Sequence, residues 1–458
     1  MPFASVKLKV HFTHFKFRTP NVELKALRNT TTLKVPKRGF RGALSDASIN
    51  TMREKRLIIW ILGALATVTP FAIDFYLPAF SQIARDFNTS ASTVSLSVSS
   101  YFIGMAIGQI LYGPLLDRFG RKRPLYVGLV VFIIASAGCM LSETVQMMVV
   151  LRFLQALGGS VAWVAAVAMV RDFFPIQESA KVFSLLILII GLSPLLAPTL
   201  GGFVVTLWGW QAVFIVLGSI ALFVLILVLS FLPEGHRPDP TVSLKPKPII
   251  LTFINVIRNP QFATYTFSGA FAFATLFIYV AGSPVIFMEM YNVSPQVYGG
   301  IFALLSVGFI GGSQLNILLT RSYKSEHIFR VALISQVITS FIFLICVSNA
   351  WLGLYSTIGM FFICLTCVGL INPNANALAL APFVRNIGSA SALLGCTQIG
   401  VAALASSGVG VFNSGDIVPI IGLLTATTSV AFIVLFIGLR SIDKSALTVN
   451  SNTGPAPH

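Results

Sequence analysis

Twelve apolar segments recur along this chain, and each is close to the roughly 20 residues that a helix needs to cross about 30 Å of hydrocarbon. Apolar residues make up 55% of the 458-residue sequence and charged residues only 10%. This composition excludes a disordered chain and argues against an ordinary soluble enzyme. We therefore predict an all-α polytopic membrane protein embedded in the lipid bilayer, with spans at 57–80, 92–114, 125–141, 146–170, 180–206, 211–232, 261–288, 296–320, 328–348, 351–380, 387–412 and 417–439.

The charge is strongly positive, +16 at pH 7, which in a soluble protein would suggest a nucleic-acid partner. When the N-terminus is placed in the cytoplasm, nearly all of the 31 Lys and Arg residues fall in the tails and loops on that same side. This is the distribution that the positive-inside rule describes. We therefore predict that both termini are cytoplasmic, and we expect no nucleic-acid partner.

The spans divide into two similar halves. The longest internal break, 233–260, is rich in Pro and charge and separates six spans in 57–232 from six in 261–439. Such symmetry is typical of a duplicated transporter whose two six-helix bundles rock about a central site.

Basic segments precede and follow the spans. Residues 1–56 hold thirteen Lys or Arg against three acids and have no apolar period, which predicts a disordered cytoplasmic tail. Met52 is a natural start just before the first span, so we interpret the preceding residues as an upstream extension of the reading frame. Residues 440–458 are expected to form a second cytoplasmic tail.

The loop after the second span reads GPLLDRFGRKR, at 113–123, and it resembles the signature loop of the major facilitator superfamily. Gly113 and Gly120 would allow tight turns, and Asp117 would interact with helix ends or nearby cations. The resemblance implies a conformational gating loop formed by Gly113, Asp117, Arg118, Gly120, Arg121 and Lys122. The alternative is an ordinary positive-inside loop with turn glycines.

A second motif places an arginine inside the membrane. LRFLQALGG, at 151–159, is similar to the superfamily motif centred on such an arginine, here Arg152. Burying an arginine in a bilayer costs at least about 2.5 kcal/mol, so Arg152 should pair with a carboxylate or face a cavity. Asp74 lies at a similar depth in the first span and is the predicted partner. Snorkelling of Arg152 to the interface remains the alternative.

Asp74 stands in PFAIDFYLP, where the flanking Pro70 and Pro78 can loosen the helix. This stretch resembles the first helix of the bicyclomycin-resistance (Bcr/CflA) subfamily of drug:proton antiporters. The resemblance, together with the location of all five histidines in tails or loops, implies that Asp74 and Arg152 couple transport to protons. A purely structural ion pair is the other interpretation.

The fifth span contains GLSPLLAPTLGG, at 191–202, which is similar to the antiporter motif of this superfamily. Pro194, Pro198, Gly201 and Gly202 permit bending and close helix approach, although Ala197 replaces the usual glycine before the second proline. The resemblance therefore supports antiport.

Polar and aromatic residues within the spans are candidates for a substrate cavity, since aromatic rings receive apolar molecules and amides fix their orientation. Asp172, Glu178 and Asp416, near loop boundaries, are interpreted as solvated. We expect neither a metal nor an organic cofactor. The candidate cavity residues are Tyr76, Tyr101, Gln109, Gln155, Trp163, Tyr279, Asn372, Asn376 and Gln398.

The sequence lacks a GxxxxGK[ST] nucleotide loop, which disfavours transport driven by ATP on this chain. We therefore predict a secondary transporter, monomeric as the resemblance suggests and located in a bacterial inner membrane. It would export drugs or amphipathic metabolites in exchange for protons. The alternatives are a dedicated exporter or importer of one metabolite, and a receptor or scaffold that uses the same fold.

Overall fold

The computed structural model describes residues 40–174, 176–235, 238–239, 246–383, 387–412 and 416–452. Within these ranges every regular element is helical, and twelve helices are long and apolar enough to cross a membrane. The predicted all-α fold with twelve spans is confirmed, and most span ends agree to within a few residues.

The first span, Glu54–Asp86, is formed by the later part of α1 (Phe40–Asp74), a short 3-10 helix (Leu77–Ala79) and α2 (Phe80–Asp86). The other N-terminal helices are α3 (Ala91–Phe119), α4 (Lys122–Met140), α5 (Val145–Phe173), α6 (Ile176–Trp208) and α7 (Trp210–Phe231). A short helix, α8 (Pro246–Ile257), lies in the linker. The C-terminal helices are α9 (Pro260–Pro284) with a π-helical turn (Val285–Met290), α10 (Pro295–Leu319), α11 (Ser325–Ser348), α12 (Leu354–Leu380), α13 (Ile387–Val411) and α14 (Ile417–Asn452).

Helix α1 begins at Phe40, so the prediction of disorder over residues 1–56 is wrong for its last part. The residues from Phe40 onward include Ala, Leu, Met, Glu, Lys and Arg, which favour a helix without any apolar period. Residues 1–39 and 453–458 lie outside the described part of the chain, and the expectation for them stays a prediction.

Several helices begin at residues whose side chains satisfy free backbone N–H groups. Ser90 accepts a hydrogen bond from the Thr93 amide at the start of α3, and Thr144 accepts one from Met147 at the start of α5. Asn259 caps α9 in the same way. Such caps fix where a span starts, because the first N–H groups of a helix have no partner within it.

The helices of each half pack mainly among themselves, and the halves meet along two seams, α3 with α13 and α6 with α10. We call the end of the protein where α3 meets α4 the basic end, and the end where α3 begins the opposite end. At the opposite end a Cβ on Gly202 would lie 2.7 Å from the Pro295 carbonyl oxygen, and Ser406 donates to Ser99 at 3.2 Å. The halves are therefore tightly packed at this end.

Candidate functional site

A cavity of about 270 Å³ lies between the two halves, near the middle of the spans. Asp74 is the only charged residue among the described residues that line it, and apolar side chains form most of the wall. The N-terminal half contributes Thr69, Ile73 and Asp74 from α1, Phe102 and Met105 from α3, and Ile190 and Pro194 from α6. The C-terminal half contributes Phe273, Phe277 and Tyr279 from α9, Phe302 and Phe309 from α10, and Leu365 from α12.

Asp74 is the last residue of α1, where the helix breaks between Pro70 and Pro78. Its side chain is buried, with 6% of the residue exposed, and the Ser193 hydroxyl donates to its Oδ2 over a long 3.5 Å. Among the described residues no Lys, Arg or His lies within ion-pair distance of this carboxyl. An ionised carboxyl so placed needs water, hydrogen-bond donors or a cation to stabilise it.

Arg152 of α5 is completely buried inside the N-terminal half. Its guanidinium donates to Gln155 Oε1 at 2.6 Å and to the Ala72 carbonyl at 3.2 Å. The rings of Tyr76 and Tyr101 lie 4.4 and 4.3 Å from its Cζ, close enough for cation–π attraction. The environment therefore holds the cation with rings and neutral acceptors.

The predicted ion pair between Asp74 and Arg152 is not formed in this structure. Arg152 meets the Ala72 carbonyl of α1 and the ring of Tyr76, just beyond the end of that helix. Asp74 lies two residues from each of them and lines the cavity instead, since residues two apart on a helix point about 200° from each other. The ion pair was predicted from the similar membrane depth of the two residues. Similar depth does not bring two side chains together when they point in different directions.

The candidate cavity residues fall into separate groups. Tyr76, Tyr101 and Gln155 surround Arg152, and Gln155 also donates to Ser136 at 2.7 Å. Trp163 is partly buried in the N-terminal half. Of the nine candidates, only Tyr279 lines the described cavity, where its ring stacks on Phe302 at 5.3 Å.

The four remaining candidates are amides nearer the basic end. Gln398 of α13 donates through Nε2 to Asn376 Oδ1 at 2.8 Å and to Asn372 Oδ1 at 3.2 Å. Gln109 of α3 belongs to the other half and lies against Gly395, where a Cβ would come 3.1 Å from its Oε1. The structure therefore brings these four residues into one region.

The motif of α6 touches both the cavity and the seam with α10. Pro194 lines the cavity, while Pro198, Gly201 and Gly202 are buried. Gly202 has no side chain where α6 meets the start of α10, and Gly201 meets the backbone of Phe75 just beyond the break in α1. The small residues thus permit the close approach that the sequence predicted.

At the basic end Arg121 joins two acids. Its guanidinium donates to Asp117 Oδ1 at 2.6 Å and to Asp172 Oδ2 at 2.8 Å. Burial lowers the pKa of Arg121, but hydrogen bonds and the charges of Asp172 and Asp117 raise it above its ordinary value overall. Asp172 was predicted to be solvated and is instead paired, because α5 brings its last turn next to the loop.

The same loop is tied to the beginning of the linker. Glu234 Oε1 accepts from the backbone N–H groups of Arg121 at 2.7 Å and Lys122 at 3.2 Å, where α4 starts.

Gly120 has φ +84°, a conformation that favours glycine, so its predicted turn is present. Gly113 is inside α3, and its predicted role in a turn is wrong. The Cζ atom of Arg118, another residue of the predicted gating loop, lies 5.8 Å from the centroid of the Phe119 ring.

Residues 62–407 match the family model described as Major Facilitator Superfamily. The chain belongs to this superfamily. As a member it is a membrane transporter of small molecules rather than an enzyme.

Relatives within the superfamily are similar over nearly their whole length. The uncharacterized MFS-type transporter YdgK of Bacillus subtilis is 31% identical, over 85% of this chain and 96% of that protein. The bicyclomycin resistance protein homolog of Haemophilus influenzae is 31% identical, over 78% and 90% of the two chains. The multidrug resistance protein MdtL of Escherichia coli O127:H6 is also 31% identical, over 81% and 93%. The predicted resemblance to the bicyclomycin-resistance proteins is confirmed.

Solved structures of the superfamily share the fold at low identity. The D-xylose–proton symporter aligns with a TM-score of 0.63 at 16% identity, over 83% of this chain and 96% of that one. A bacterial homolog of the human lysosomal transporter Spinster, in an inward-facing, unoccupied conformation, gives 0.64 at 15%, over 84% and 95%.

Sequence reasoning missed the phenylalanines that form most of the aromatic wall of this transporter's cavity. Phe102 meets Phe277 across the two halves with their ring centroids 4.4 Å apart, and Phe273 lies 5.3 Å from Phe277. The available signal was helical spacing, since Phe102, Met105 and Gln109 follow one face of α3. That signal is weak in a membrane helix, whose lipid-facing side is apolar as well.

Proposed function

We propose that this transporter exports drugs or small amphipathic metabolites in exchange for protons, with Asp74 as the proton carrier. The observation that carries the proposal is the position of this buried carboxyl in an apolar cavity between the two halves. A neutral acid is compatible with such surroundings, whereas a carboxylate needs a cation, water or donor groups. Proton binding and substrate binding are therefore expected to oppose each other at this position.

The proposed cycle uses alternating access. The outward-facing transporter takes up a proton at Asp74, the bundles of residues 57–232 and 261–439 rock against each other, and substrate binding on the other side displaces the proton. The packing of α6 on α10 and of α3 on α13 at the opposite end supplies surfaces that would separate during rocking.

Arg152 acts through α1 in this proposal. Its hydrogen bond to the Ala72 carbonyl joins α5 to the residue two positions before Asp74, and the Tyr76 ring holds the guanidinium from the other side of the helix break. A fixed arginine of this kind positions the segment that carries the proton site. It is a positioning residue, not a proton carrier.

The membrane placement is part of the proposal. The basic end, with Arg121 and Lys122, would face the cytoplasm, and both termini would lie there. The bacterial relatives support a bacterial inner membrane. We propose a monomeric unit, since the central cavity is formed by one chain.

A dedicated carrier of one metabolite is the second candidate. The fold of the D-xylose–proton symporter is similar, so the architecture is compatible with symport as well as exchange. Broad resistance to unrelated drugs would oppose this candidate, and saturable exchange of a single compound would favour it. Concentrative flux in proteoliposomes would eliminate a receptor or scaffold without transport.

The test is growth inhibition across a chemically varied drug panel in an efflux-deficient bacterium. Wild type, Asp74→Asn and Glu143→Gln are compared at equal membrane abundance; Glu143 is an exposed loop carboxyl outside the cavity and serves as the matched control. We expect protection by wild type and Glu143→Gln that disappears in Asp74→Asn. Equal protection by all three would remove Asp74 as the coupling acid, and no protection by any would favour the dedicated carrier.

A further inference from the structure

Two helix faces that line the cavity change from apolar to amide side chains toward the basic end. On α3, Phe102 and Met105 line the cavity, and Gln109 follows Met105 by four residues on the same face. On α12, Leu365 lines the cavity, and Asn372 and Asn376 follow it by seven and eleven residues. Both helices run toward the basic end, so the amides follow the cavity-lining residues in that direction along the same helix faces.

These amides form one group, which we call the amide belt: Gln109, Asn372, Asn376 and Gln398. Gln398 Nε2 donates to the side-chain oxygens of both asparagines, and Gln109 lies against Gly395, one turn before Gln398 on α13. The belt therefore includes side chains from both halves, across the α3–α13 seam.

The amide belt retains hydrogen-bonding capacity. Within the described part of the chain, the structure records no hydrogen-bond partner for Asn372 Nδ2, Asn376 Nδ2 or the Gln109 side chain, and all three residues are partly exposed. Asn374, on another face of α12, is instead buried and donates to Asn316 Oδ1 at 2.6 Å. Polar groups at membrane depth require partners, and those of the belt are left for water or a bound molecule.

The chemistry of the belt defines what it can recognise. Each amide offers a donor and an acceptor without charge, so the group matches a neutral head such as a carboxamide or hydroxyl. An ammonium would instead be attracted to Asp74, farther from the basic end. The apolar cavity lies one to two turns farther along the same helix faces, at Met105 and Leu365, and would take the apolar rest of an amphipathic molecule.

We propose that the amide belt binds the uncharged, hydrogen-bonding head of an amphipathic substrate whose apolar body occupies the cavity. The proposal rests on the proposed function for its transport context. It adds a selectivity that the Asp74 carboxyl alone would not give, since a carboxyl favours cations.

The test uses three ligands with one apolar body: 2-naphthamide, 2-methylnaphthalene and 2-naphthylmethylammonium. Binding to the purified full-length transporter in nanodiscs is measured by equilibrium dialysis against empty nanodiscs. For wild type we expect the carboxamide to bind about 10-fold more tightly than the methyl compound, the effect of roughly one good hydrogen-bonded contact. Asn376→Leu should abolish this preference and leave ammonium binding unchanged.

Thr366→Val is the matched control, because the Thr366 hydroxyl donates to the Phe362 carbonyl within α12 and lies outside the belt. It should keep the full carboxamide preference. Asn376→Ser, which retains a shorter hydrogen-bonding group, should keep part of it. If Asn376→Leu does not reach the membrane, the wild-type comparison and the serine variant still decide the question.

Equal binding of the carboxamide and methyl compounds to wild type would overturn the proposal. So would a loss in Asn376→Leu that affects all three ligands by the same factor, since that indicates a general change in structure. Failure of the proposed function is distinguishable: flux that ignores a proton gradient would contradict proton exchange and leave the head-group preference in binding intact.

Discussion

The two halves of this transporter place polar groups in the membrane in different ways. In the N-terminal half an acidic side chain, Asp74, and a basic one, Arg152, lie deep within the spans. In the described spans of the C-terminal half, charged side chains occur only near helix ends, and the interior carries aromatic rings, hydroxyls and amides. In the proposed function, Asp74 of the N-terminal half couples transport to protons, and the substrate site draws most of its rings and amides from the C-terminal half.

The two buried charges also differ from each other. Arg152 is fixed by two rings and two acceptors, while Asp74 faces the cavity with one long hydrogen bond. A group that gains and loses a proton during the transport cycle needs few strong hydrogen-bond or ionic partners. Such partners would stabilise either its charged or its neutral form throughout the cycle. Asp74 meets this condition and Arg152 does not.

The largest expected effect is that of Asp74→Asn on coupling. The amide keeps the size of the side chain and removes its titration, so gradient-driven transport should fall by at least about 100-fold while substrate exchange without a gradient persists. Both rates are measured in proteoliposomes with a radiolabelled substrate. Loss of the exchange reaction as well would mean that Asp74 is required for binding or rocking, and the division between the halves would be weakened.

Arg152→Met is expected to have the next largest effect. Methionine roughly fills the space but leaves Gln155 and the Ala72 carbonyl without their donor, at a cost of about 1–3 kcal/mol for each buried group. We expect a melting temperature lower by several degrees and transport reduced about 10-fold for every substrate alike. A change in substrate preference would contradict the purely positioning role.

A smaller and selective effect is expected for Phe302→Ala in the C-terminal half. The ring lines the cavity and stacks on Tyr279, so its loss should raise KM about 10-fold for bulky apolar substrates and leave the dependence on proton gradient unchanged. Phe341→Ala is the matched control, because the Phe341 side chain on α11 is exposed and does not line the cavity. This variant should behave as wild type. If Phe302→Ala changed the dependence of transport on the proton gradient, this would contradict the assignment of coupling to the N-terminal half.

The smallest effect is expected for deletion of residues 1–51, which precede the membrane-spanning part of α1. Neither half of the transporter should need them, so initial transport rates at equal membrane abundance should match those of the full chain. Reduced rates would assign the basic segment a part in the cycle.

The twelve spans were predictable because a helix that crosses a bilayer needs a long apolar run, and such runs are visible in any sequence. Asp74 was predictable for the related reason that a carboxyl within such a run is rare. Its relation to Arg152 was not, because hydropathy gives depth and not the direction of a side chain. The wall of phenylalanines was not distinguishable either, since the 38 phenylalanines of the chain suit lipid-facing and cavity-facing positions equally.

The contacts that loops make with distant parts of the chain could not be predicted from the sequence either. The pairing of Arg121 with Asp172 and the capping of α4 by Glu234 join segments that are distant in sequence. A span-by-span interpretation treats each loop alone and therefore predicts that Asp172 is solvated. Only the packing of α5 and the linker against the α3–α4 loop shows that these acids have partners.

The most direct test of proton exchange is the direction in which a pH gradient moves substrate through the purified transporter. In proteoliposomes with an acidic lumen, proton exchange predicts that external substrate accumulates inside above its outside concentration, and that a proton ionophore abolishes the accumulation. Asp74→Asn should only equilibrate it. Accumulation in an alkaline lumen, or accumulation that persists in Asp74→Asn, would contradict proton exchange at this carboxyl.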